Sequence, residues 1–562
     1  MRPSDNDFDA VVIGAGFSGL YMLHRLRDTL GLTARVFEAA DDVGGTWYWN
    51  RYPGARCDSE SYFYSFSDRL SEELLEEWTW TERFAGQPEI LGYLQHVAER
   101  FDLYRDIRFG TRVVAAEYDE TSGRWSVRTD AGERATATYL ITAVGCLSTT
   151  NLPEFPGRDS FRGDWYHTGL WPHEGVDFTG KRVAVIGTGA TGVQAIPEIA
   201  QEAEHVYVLQ RTPNYDIAGG NRPMTEEDGR AIKDNYREIW QTTRETGFGF
   251  PYRTPERTAL SVSDDERRQI YEEAWQRGGF RLGTTFNDLL VDEDANETAA
   301  EFLRARIRER VRDPEVAELL SPRDHPFFTK RPPLENGYYD TFNRDNVTLV
   351  NVRDAPIQEI TERGVRTADG EYEVDTLVYA TGFDAMTGTL FKIGIRGRDG
   401  LDLREKWAKG PTSYLGVTTS GFPNLFMITG PQSPSVLTNM PVAIEQHVDW
   451  ITDCLRHLRE RGADLIEPLP EAERDWVDHH DEVTATTLLP RANSWWVGAN
   501  IPGKPRSLYP YVGGLDVYRV ICDRVAARGY DGFTTGSAGR TTGGGFAGVA
   551  RATFDELAAE AS

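Results

Sequence analysis

Two glycine-rich turns carry the residue types and spacing of dinucleotide-binding sites. The first turn, at residues 14–19, contains Gly14, Gly16, Phe17, Ser18 and Gly19. The second turn, at residues 187–192, contains Gly187, Thr188, Gly189, Ala190, Thr191 and Gly192. Each turn follows a short apolar run and leads into a segment of helical periodicity, the arrangement that places a pyrophosphate at a helix N-terminus. The sequence therefore predicts two dinucleotide sites, with a purely structural glycine turn as the alternative.

The residues at the ends of the two second strands differ in charge. Glu38 lies 19 residues after Gly19, and Arg211, followed by Thr212, lies the same distance after Gly192. An acid at this place accepts both hydroxyls of a ribose, whereas an arginine suits a 2′-phosphate. We therefore assign the first site to FAD and the second to NADPH. The alternative for Arg211 is a solvated arginine at a strand end.

Two further segments carry residues that suit a flavin site. Residues 44–64 hold seven aromatic side chains together with glycines that permit close backbone approach, and Asp58 is the carboxylate of interest there. Core packing is the alternative for these aromatic residues. Residues 329–333 place Lys330 and Arg331 beside two prolines in a strongly acidic chain. A charged surface turn is the alternative for this pair.

The cysteine pattern narrows the chemistry. Four scattered cysteines form no C-x-x-C pair, which excludes the disulfide-reductase branch of flavoproteins with two dinucleotide sites. Reduced flavin must then pass its electrons to O₂ or to another acceptor. A peroxide anion formed with O₂, and an alkoxide formed when it attacks a carbonyl, both require a fixed positive charge in a dry site. Arg331 is the candidate, because arginine stays charged when buried.

Composition excludes several classes of partner. The chain has 562 residues and a formal net charge of −27, which argues against nucleic acid and anionic membrane surfaces. No apolar run approaches the roughly 20 residues that span a bilayer, and the polar N-terminus indicates no signal peptide. No cysteine or histidine has metal-ligand spacing. We expect a cytoplasmic protein without a metal site, acting on a small molecule and O₂ with no required protein partner.

The predicted fold is α/β, with two Rossmann-like dinucleotide-binding domains for FAD and NADPH and a helical insertion in the second. The FAD-binding domain is expected in two parts, residues 1–150 and 384–530, and the NADPH-binding domain in residues 151–221 and 326–383. Residues 222–325 are polar with helical patterns and form the insertion. Residues 493–504 are predicted to be a mobile lid loop. Residues 531–562 are predicted to be a flexible tail.

The segment 161–172 between the two glycine turns has an unusual pattern, F-x-G-x-x-x-H-x-x-x-W-P. It consists of Phe161, Gly163, His167, Trp171 and Pro172, with an aromatic interdomain linker as the alternative. With both glycine turns, the aromatic segment, TKRP at 329–332, ATGFD at 380–384 and the tryptophan pair at 495–496, it makes the chain resemble the type I Baeyer–Villiger monooxygenases. That family includes cyclohexanone, phenylacetone and steroid monooxygenases. The resemblance covers about residues 8–530.

The resemblance implies roles for the matching residues. Arg331 would stabilise a C4a-peroxyflavin and the tetrahedral adduct with a ketone, and Asp58 would tune the arginine. Positions that would line FAD are Ser18, Glu38, Trp47, Asp58 and Tyr64. Positions that would hold NADPH are Arg211, Thr212, Lys330 and Trp496. Further cofactor-binding positions are Gly45, Thr46, Tyr52, Val113, Gln194, Arg331 and Met440. The substrate pocket would include Cys146, Ser435, Val436, Leu437 and Met440.

The reaction that the resemblance implies is the conversion of a cyclic, aryl or bulky ketone into an ester or lactone with NADPH and O₂. The fingerprint at 161–172 would couple the two domains, with His167 and Trp171 outside the ketone site. One alternative is an N- or S-oxygenating flavin monooxygenase, which shares the Phe, Gly and His of the fingerprint but closes it differently. The other is a binding or redox-sensing flavoprotein that only releases hydrogen peroxide.

Overall fold

The structure is a computed structural model that describes residues 6–537 and 540–542. It contains one sheet for each predicted dinucleotide-binding domain, which confirms the α/β class. The first sheet has, in spatial order, Gly394–Arg396, Val113–Asp119, Arg124–Thr129, Arg134–Thr142, Asp7–Ile13, Ala34–Phe37 and Ile107–Arg108, with Leu425–Met427 also paired to Arg134–Thr142. Its central strand Asp7–Ile13 ends in four buried residues because both faces of this part of the sheet are covered.

The helices around the first sheet place the N-terminal glycine turn and the later catalytic segments. They are Phe17–His24, with a π-helical turn at Arg25–Thr29, Thr46–Trp49, Glu72–Glu77, Gln87–Arg100, Gly388–Lys392, Leu403–Lys406, Met440–Glu460, Pro470–Ala485 and Leu515–Ala527. The long helix Met440–Glu460 buries one face against Phe17–His24. Its N-terminus follows directly on the loop at residues 429–436.

The second sheet is parallel throughout. Its spatial order is Val347–Asn351, His205–Gln210, Arg182–Ile186, Thr376–Tyr379 and Asp164–His167. The glycine turn at 187–192 leads from Arg182–Ile186 into the helix Ala190–Glu202. A short helix, Tyr338–Thr341, and an antiparallel sheet of Ile357–Thr361, Gly364–Thr367 and Glu371–Glu373 complete this domain.

The first part of the fingerprint is itself a strand. Asp164–His167 forms an edge of the second sheet, with His167 opposite Tyr379 of the strand Thr376–Tyr379. The sequence had indicated a connecting segment here, because four residues with two aromatics show no clear alternation. The strand fixes the fingerprint to the segment that runs into the ATGFD motif.

Residues 222–325 contain five α-helices, which are joined by segments that are not α-helical. They are Glu226–Asp234, Tyr236–Arg244, Asp264–Arg277, Glu293–Arg310 and Pro314–Leu320, flanked by a two-stranded ribbon of Ile217–Ala218 and Leu334–Glu335. Buried side chains of the insertion, such as Trp240, Tyr271 and Phe280, belong to the same hydrophobic cluster as Leu20 and Phe66. The insertion therefore leaves the second domain but packs against the first.

The prediction of a flexible tail from residue 531 is wrong at its start. Phe533–Ser537 pairs antiparallel with Leu465–Pro468, and Arg540–Thr542 pairs with Phe533–Ser537. The Gly/Thr-rich composition indicated flexibility, but Phe533 is buried against Tyr414 and Trp450, and this anchors the β-branched threonines beside it in a strand. The rest of the predicted tail lies outside the described residues. Within the described part of the chain, no helix is long and apolar enough to cross a membrane.

Candidate active site

Arg331 and Asp58 are 273 residues apart in the sequence and form a bidentate ion pair. The Arg331 Nε atom lies 2.5 Å from Asp58 Oδ2, and Nη2 lies 2.8 Å from Oδ1. The third guanidinium nitrogen, Nη1, donates to the backbone carbonyl of Val436 at 2.8 Å. This fork geometry fixes the plane of the guanidinium and leaves two N–H donors for a ligand.

The surroundings of Arg331 favour its charged form. Burial is the largest single effect and opposes the charge, but the charge and the hydrogen bonds of Asp58 act against it, and the net result is a raised pKa of Arg331. The guanidinium also lies over the ring of Phe280, 4.9 Å from the centroid. Its side chain remains 23% exposed, so one edge is open. The result is a fixed positive charge beside an aromatic wall.

The backbone carbonyl of Arg331 is hydrogen-bonded by a group of residues that the sequence did not single out. Asn214 Nδ2 donates to the Arg331 carbonyl at 2.9 Å, and Asn214 Oδ1 lies 3.4 Å from His325 Nε2. His325 Nδ1 in turn lies 2.7 Å from Asp324. No motif marks Asn214, because its role depends on a contact across 117 residues.

The first glycine turn fits a pyrophosphate. A Cβ atom at Gly19 would overlap the carbonyl of Gly14, so the helix Phe17–His24 approaches the strand closely. Gly16 and Gly45 face each other, with an added Cβ at Gly45 only 3.0 Å from the Gly16 Cα. Gly16 caps the helix without a side-chain hydrogen bond, which leaves the first N–H groups of the helix for an anion.

Glu38 is buried at the end of the strand Ala34–Phe37. Its carboxylate accepts from the N–H groups of Ala15 at 2.6 Å and of Ala40 at 2.8 Å. Burial raises the pKa of Glu38 against the opposing effect of these donors. The acid thus lies directly beside the first glycine turn, where a ribose would follow the pyrophosphate.

The second glycine turn has the same construction. A Cβ atom at Gly192 would overlap the carbonyl of Gly187, whereas one at Gly189 would meet open space. Gly189 caps the helix Ala190–Glu202 without a side-chain hydrogen bond. Thr188 is buried and its hydroxyl donates to the Thr212 carbonyl at 3.2 Å. The open N-terminus therefore fits a second dinucleotide.

Three cations meet near the end of the strand His205–Gln210. Burial lowers the pKa of Lys330, and the nearby charges of Arg211 and Arg353 lower it further against the attraction of Asp324. Arg353 Nε donates to the Arg211 carbonyl at 3.0 Å, and its Nη2 pairs with Asp324 at 2.9 Å. Arg353 had no signal in the sequence, since it lies at the end of a different strand.

The aromatic segment at 44–64 connects the two domains. Trp47 Nε1 donates to the Tyr64 hydroxyl at 3.2 Å. The Tyr52 hydroxyl donates to Gln194 of the helix Ala190–Glu202 at 2.8 Å. Burial raises the pKa of Tyr52 to about 12, so its hydroxyl stays protonated and available as this donor. Thr46 starts the short helix Thr46–Trp49 beside Gly45.

The predicted lid loop lies closed against the protein. Trp496 is 1% exposed, and its indole N–H has no partner among the described residues. Lys504 Nζ binds Asp384 of the ATGFD motif and the Ala385 carbonyl, both at 2.6 Å. A buried donor without a partner is costly in a finished fold. The indole N–H of Trp496 is therefore a buried donor that a bound cofactor could use.

The predicted pocket residues lie near one another around the start of the helix Met440–Glu460. Cys146 Sγ is 3.0 Å from Ser435 Oγ, and Ser435 Oγ is 3.7 Å from Met386 Sδ. Burial raises the pKa of the Cys146 thiol, so it stays protonated. Val436, Leu437 and Met440 pack in the same cluster as Trp496. Val113, which was predicted to bind a cofactor, begins the strand Val113–Asp119 and belongs to a different hydrophobic cluster from these pocket residues.

The fingerprint residues make their contacts within the second domain. His167 Nδ1 accepts from the Gly169 N–H at 3.0 Å, and His167 Nε2 lies 3.4 Å from Thr381 Oγ1. Burial lowers the pKa of His167, which favours the neutral ring. Trp171 packs on Phe178. Phe161 lies against Gly163, Pro172 follows Trp171, and any Cβ at Gly163 would overlap the Asp375 carbonyl.

The sequence and the fold of this chain are similar to those of known monooxygenases. The sequence model of the FMO-like family, described as flavin-binding monooxygenase-like, matches residues 9–219. A Baeyer–Villiger monooxygenase of Pseudooceanicola batsensis is 46% identical over 528 residues, which are 93% of this chain and 95% of that protein. The chain belongs to the Baeyer–Villiger monooxygenase family.

Other Baeyer–Villiger relatives match over nearly their whole length. A cyclohexanone 1,2-monooxygenase of an Acinetobacter species is 44% identical over 530 residues, 94% of this chain and 96% of that protein. The crystal structure of OTEMO in complex with FAD and NADP superposes with a TM-score of 0.91 at 43% identity, covering 94% of this chain and 99% of that one. The resemblance and the two-domain fold class predicted from sequence are thus confirmed.

Proposed function

We propose that the protein is an FAD-dependent Baeyer–Villiger monooxygenase that uses NADPH and O₂ to convert a ketone into an ester or lactone. The observation that carries the proposal is the Arg331–Asp58 pair, an arginine fixed by three hydrogen bonds with two donors left over. Several full-length relatives are named for ketones, namely cyclohexanone, acetone and cyclopentanone, and this supports ketone oxidation over N- or S-oxygenation. One relative, a phenazine N-monooxygenase of Lysobacter antibioticus that is 44% identical over 535 residues, keeps N-oxygenation as the alternative to be tested.

Arg331 is proposed to act through its fixed charge. When bound, reduced flavin together with O₂ supplies the activated oxygen that attacks the ketone carbonyl. The guanidinium then stabilises negative charge on that oxygen and on the carbonyl oxygen, without reorganising during the reaction. Asp58 keeps the guanidinium charged and in plane. The two free N–H groups are the donors proposed to face the reacting oxygen atoms.

The two nucleotides are proposed to bind at the two glycine turns. FAD would lie along Gly14–Gly19 with its ribose on Glu38 and its flavin end near Trp47 and Tyr64. NADPH would lie along Gly187–Gly192, with its 2′-phosphate held by Arg211, Thr212 and Lys330, and Arg353 as an additional cation. Trp496 would donate its buried N–H to NADPH.

The substrate is proposed to be a small ketone held among Cys146, Ser435, Val436, Leu437 and Met440. Cyclohexanone is a rational first probe, since a relative carries its name. A cytoplasmic location is proposed from the four cysteines, which are buried and free and therefore suit a reducing compartment.

The test uses FAD-loaded wild type, Arg331→Met and the surface control Arg182→Met with NADPH, air and a panel of ketones, a thioether and a tertiary amine. Wild type and Arg182→Met are expected to give ketone products heavier by one oxygen atom. Arg331→Met is expected to lose at least about a hundredfold of that rate. Full ester formation by Arg331→Met contradicts the role of the arginine. Oxidation of the thioether or amine alone by wild type favours the N- or S-oxygenating alternative.

A further inference from the structure

Residues 429–436 form a strained loop between the strand Leu425–Met427 and the helix Met440–Glu460. Thr429, Gln432 and Ser435 have φ angles of 54°, 68° and 43°, in the left-handed region that side chains rarely adopt. Such backbone persists only where its surroundings over-determine it, and it is concentrated at functional sites. The shape of the 429–436 loop is therefore imposed by its contacts.

The C-terminal end of the 429–436 loop contacts Arg331. The Val436 carbonyl accepts from Arg331 Nη1 at 2.8 Å. The other two guanidinium nitrogens donate to the Asp58 carboxylate. The position of the Val436 carbonyl therefore sets one of the three bonds that orient the guanidinium.

The middle of the loop is clamped through Gln432, which is 1% exposed. Its side-chain Oε1 accepts from both the backbone N–H and the hydroxyl of Ser413, each at 2.9 Å. Its backbone carbonyl accepts from Trp476 Nε1 at 3.2 Å. Its backbone N–H donates to the Tyr509 carbonyl at 2.6 Å. Hydrogen bonds therefore hold the side-chain Oε1, the backbone carbonyl and the backbone N–H of Gln432.

Further backbone hydrogen bonds connect the 429–436 loop with the lid loop at 493–504. The Tyr509 N–H donates to the Trp496 carbonyl at 2.8 Å, and the Tyr511 N–H donates to the Ser433 carbonyl at 2.7 Å. Lys504 Nζ lies 4.7 Å from the centre of the Tyr509 ring. Two consecutive backbone hydrogen bonds therefore connect Trp496 of the lid to Gln432.

We propose that Gln432 is a positioning residue that couples the lid loop to Arg331 through the 429–436 loop. The inference rests on the proposed function, because it takes Arg331 as the charge beside the reacting oxygen. Movement of Trp496 displaces Tyr509 and with it the Gln432 N–H, and four residues later the Val436 carbonyl shifts against the guanidinium. Closing the lid and orienting Arg331 are then a single event.

The test compares Gln432→Met, which removes the acceptor for Ser413 at similar length, with Gln432→Glu, which keeps an oxygen there. In FAD-loaded Gln432→Met, ester formed per NADPH consumed is expected to fall by about tenfold to a hundredfold, because a misplaced catalytic group costs rate on this scale. The rate of flavin reduction by NADPH is expected to stay at the wild-type value. Gln432→Glu is expected to recover most of the ester. A wild-type ester ratio in Gln432→Met overturns the inference.

Coupling to the lid is tested with Trp496→Phe and the double variant. If one path connects the two residues, their effects on the ester ratio are smaller together than the product of the single effects. Strictly multiplicative effects overturn the coupling. If Gln432→Met does not fold, Ser413→Ala removes the hydroxyl bond to Gln432 Oε1 and keeps the backbone N–H bond, so the ester ratio is expected to fall by a smaller factor than in Gln432→Met. A wild-type ester ratio in Ser413→Ala then overturns the inference.

Arg331→Met separates the inference from the proposed function. If Arg331→Met keeps full ester formation, the proposed role of the arginine is wrong. If Arg331→Met loses ester formation while Gln432→Met keeps the wild-type ratio, the proposed function stands and only the coupling through Gln432 fails.

Discussion

At the scale of single residues, charge at two strand ends separates the two nucleotide sites. Glu38 is buried and held by the N–H groups of Ala15 and Ala40. Arg211 is exposed and shares its surroundings with the cations Lys330 and Arg353. In a chain of net charge −27, such a cluster of cations suits a phosphate that must be attracted against the overall field.

Arg211→Ala is predicted to weaken NADPH binding by about tenfold to a hundredfold, because a charge-assisted hydrogen bond contributes about 1.5–3 kcal/mol. NADH lacks the 2′-phosphate, so its binding is expected to stay close to the wild-type value. Steady-state KM values for both nucleotides check this. Arg182→Ala, at the other end of the same sheet, is the matched control. Equal losses for NADPH and NADH refute the phosphate role.

Two adjacent cations beside prolines stand out in an acidic chain, and this was enough to select Arg331. The role of Asp58 beside it was implied only by the family resemblance. Residue spacing could not find Asn214, Arg353 or Gln432. Each acts through a contact with a partner far from it or outside any motif, such as the 117 residues between Asn214 and Arg331. Such contacts are fixed by tertiary packing, which no local spacing encodes.

At the scale of elements, the strand Asp164–His167 ties the fingerprint to the strand that leads into ATGFD. His167 bridges the Gly169 N–H and the Thr381 hydroxyl at the C-terminal end of that pair. The carboxyl edge of a parallel sheet is where α/β proteins bind their ligands. Backbone pairing therefore places His167 of the fingerprint at the carboxyl edge of the second sheet, where a nucleotide is expected to bind.

His167→Leu is predicted to release more hydrogen peroxide and less ester per NADPH consumed. A neutral hydrogen bond contributes about 0.5–1.5 kcal/mol, so we expect the ester ratio to fall by about twofold to tenfold. His167→Asn keeps an acceptor near the position of Nδ1 and is expected to lie closer to wild type. Ester and peroxide measured together check this, and unchanged coupling in His167→Leu counts against a coupling role.

The helix Met440–Glu460 carries a buried acid that makes stability depend on pH. Glu445 accepts from the N–H and hydroxyl of Ser67 at 2.7 and 2.6 Å, and burial raises the pKa of Glu445 to about 7. The unfolded chain has a value of about 4.3. Between these values the folded state binds more protons, so this residue lowers stability as pH rises.

Glu445→Gln is predicted to flatten that decline. Relative to the variant, wild type is expected to lose about 1–3 kcal/mol of unfolding free energy between pH 5 and 7.5, since one unit of pKa corresponds to about 1.4 kcal/mol. Urea unfolding at three pH values measures this. Glu460→Gln, an exposed acid on the same helix, should keep the wild-type pH dependence. Parallel curves for wild type and Glu445→Gln contradict the assignment.

At the scale of the whole molecule, two nucleotide domains and a helical insertion enclose one site. Tyr52 bonds to Gln194 across the domains, the insertion supplies Phe280 beneath Arg331, and the lid loop binds Asp384 through Lys504. Each contributes from a different part of the sequence. The site therefore depends on the assembly of the chain rather than on any one element.

The overall fold was readable from the sequence because paired βαβ units carry strong local signals, namely a buried strand, a glycine turn and a periodic helix. The packing of the insertion against the FAD domain could not be predicted from the sequence. Its helices are mostly charged, and their few apolar residues do not indicate which domain they contact. The strand Phe533–Ser537 was missed for the opposite reason, because its Gly/Thr composition is also that of flexible chain.

The protein is expected to insert one oxygen atom from O₂ into a ketone. The most direct measurement supplies the FAD-loaded protein with NADPH, ¹⁸O₂ and cyclohexanone and weighs the product against the NADPH consumed. We predict a lactone that carries one ¹⁸O atom and forms in nearly equal amount to the NADPH consumed. NADPH consumption that yields only hydrogen peroxide with this ketone and with aryl and bulky ketones, or a product without the label, would contradict it.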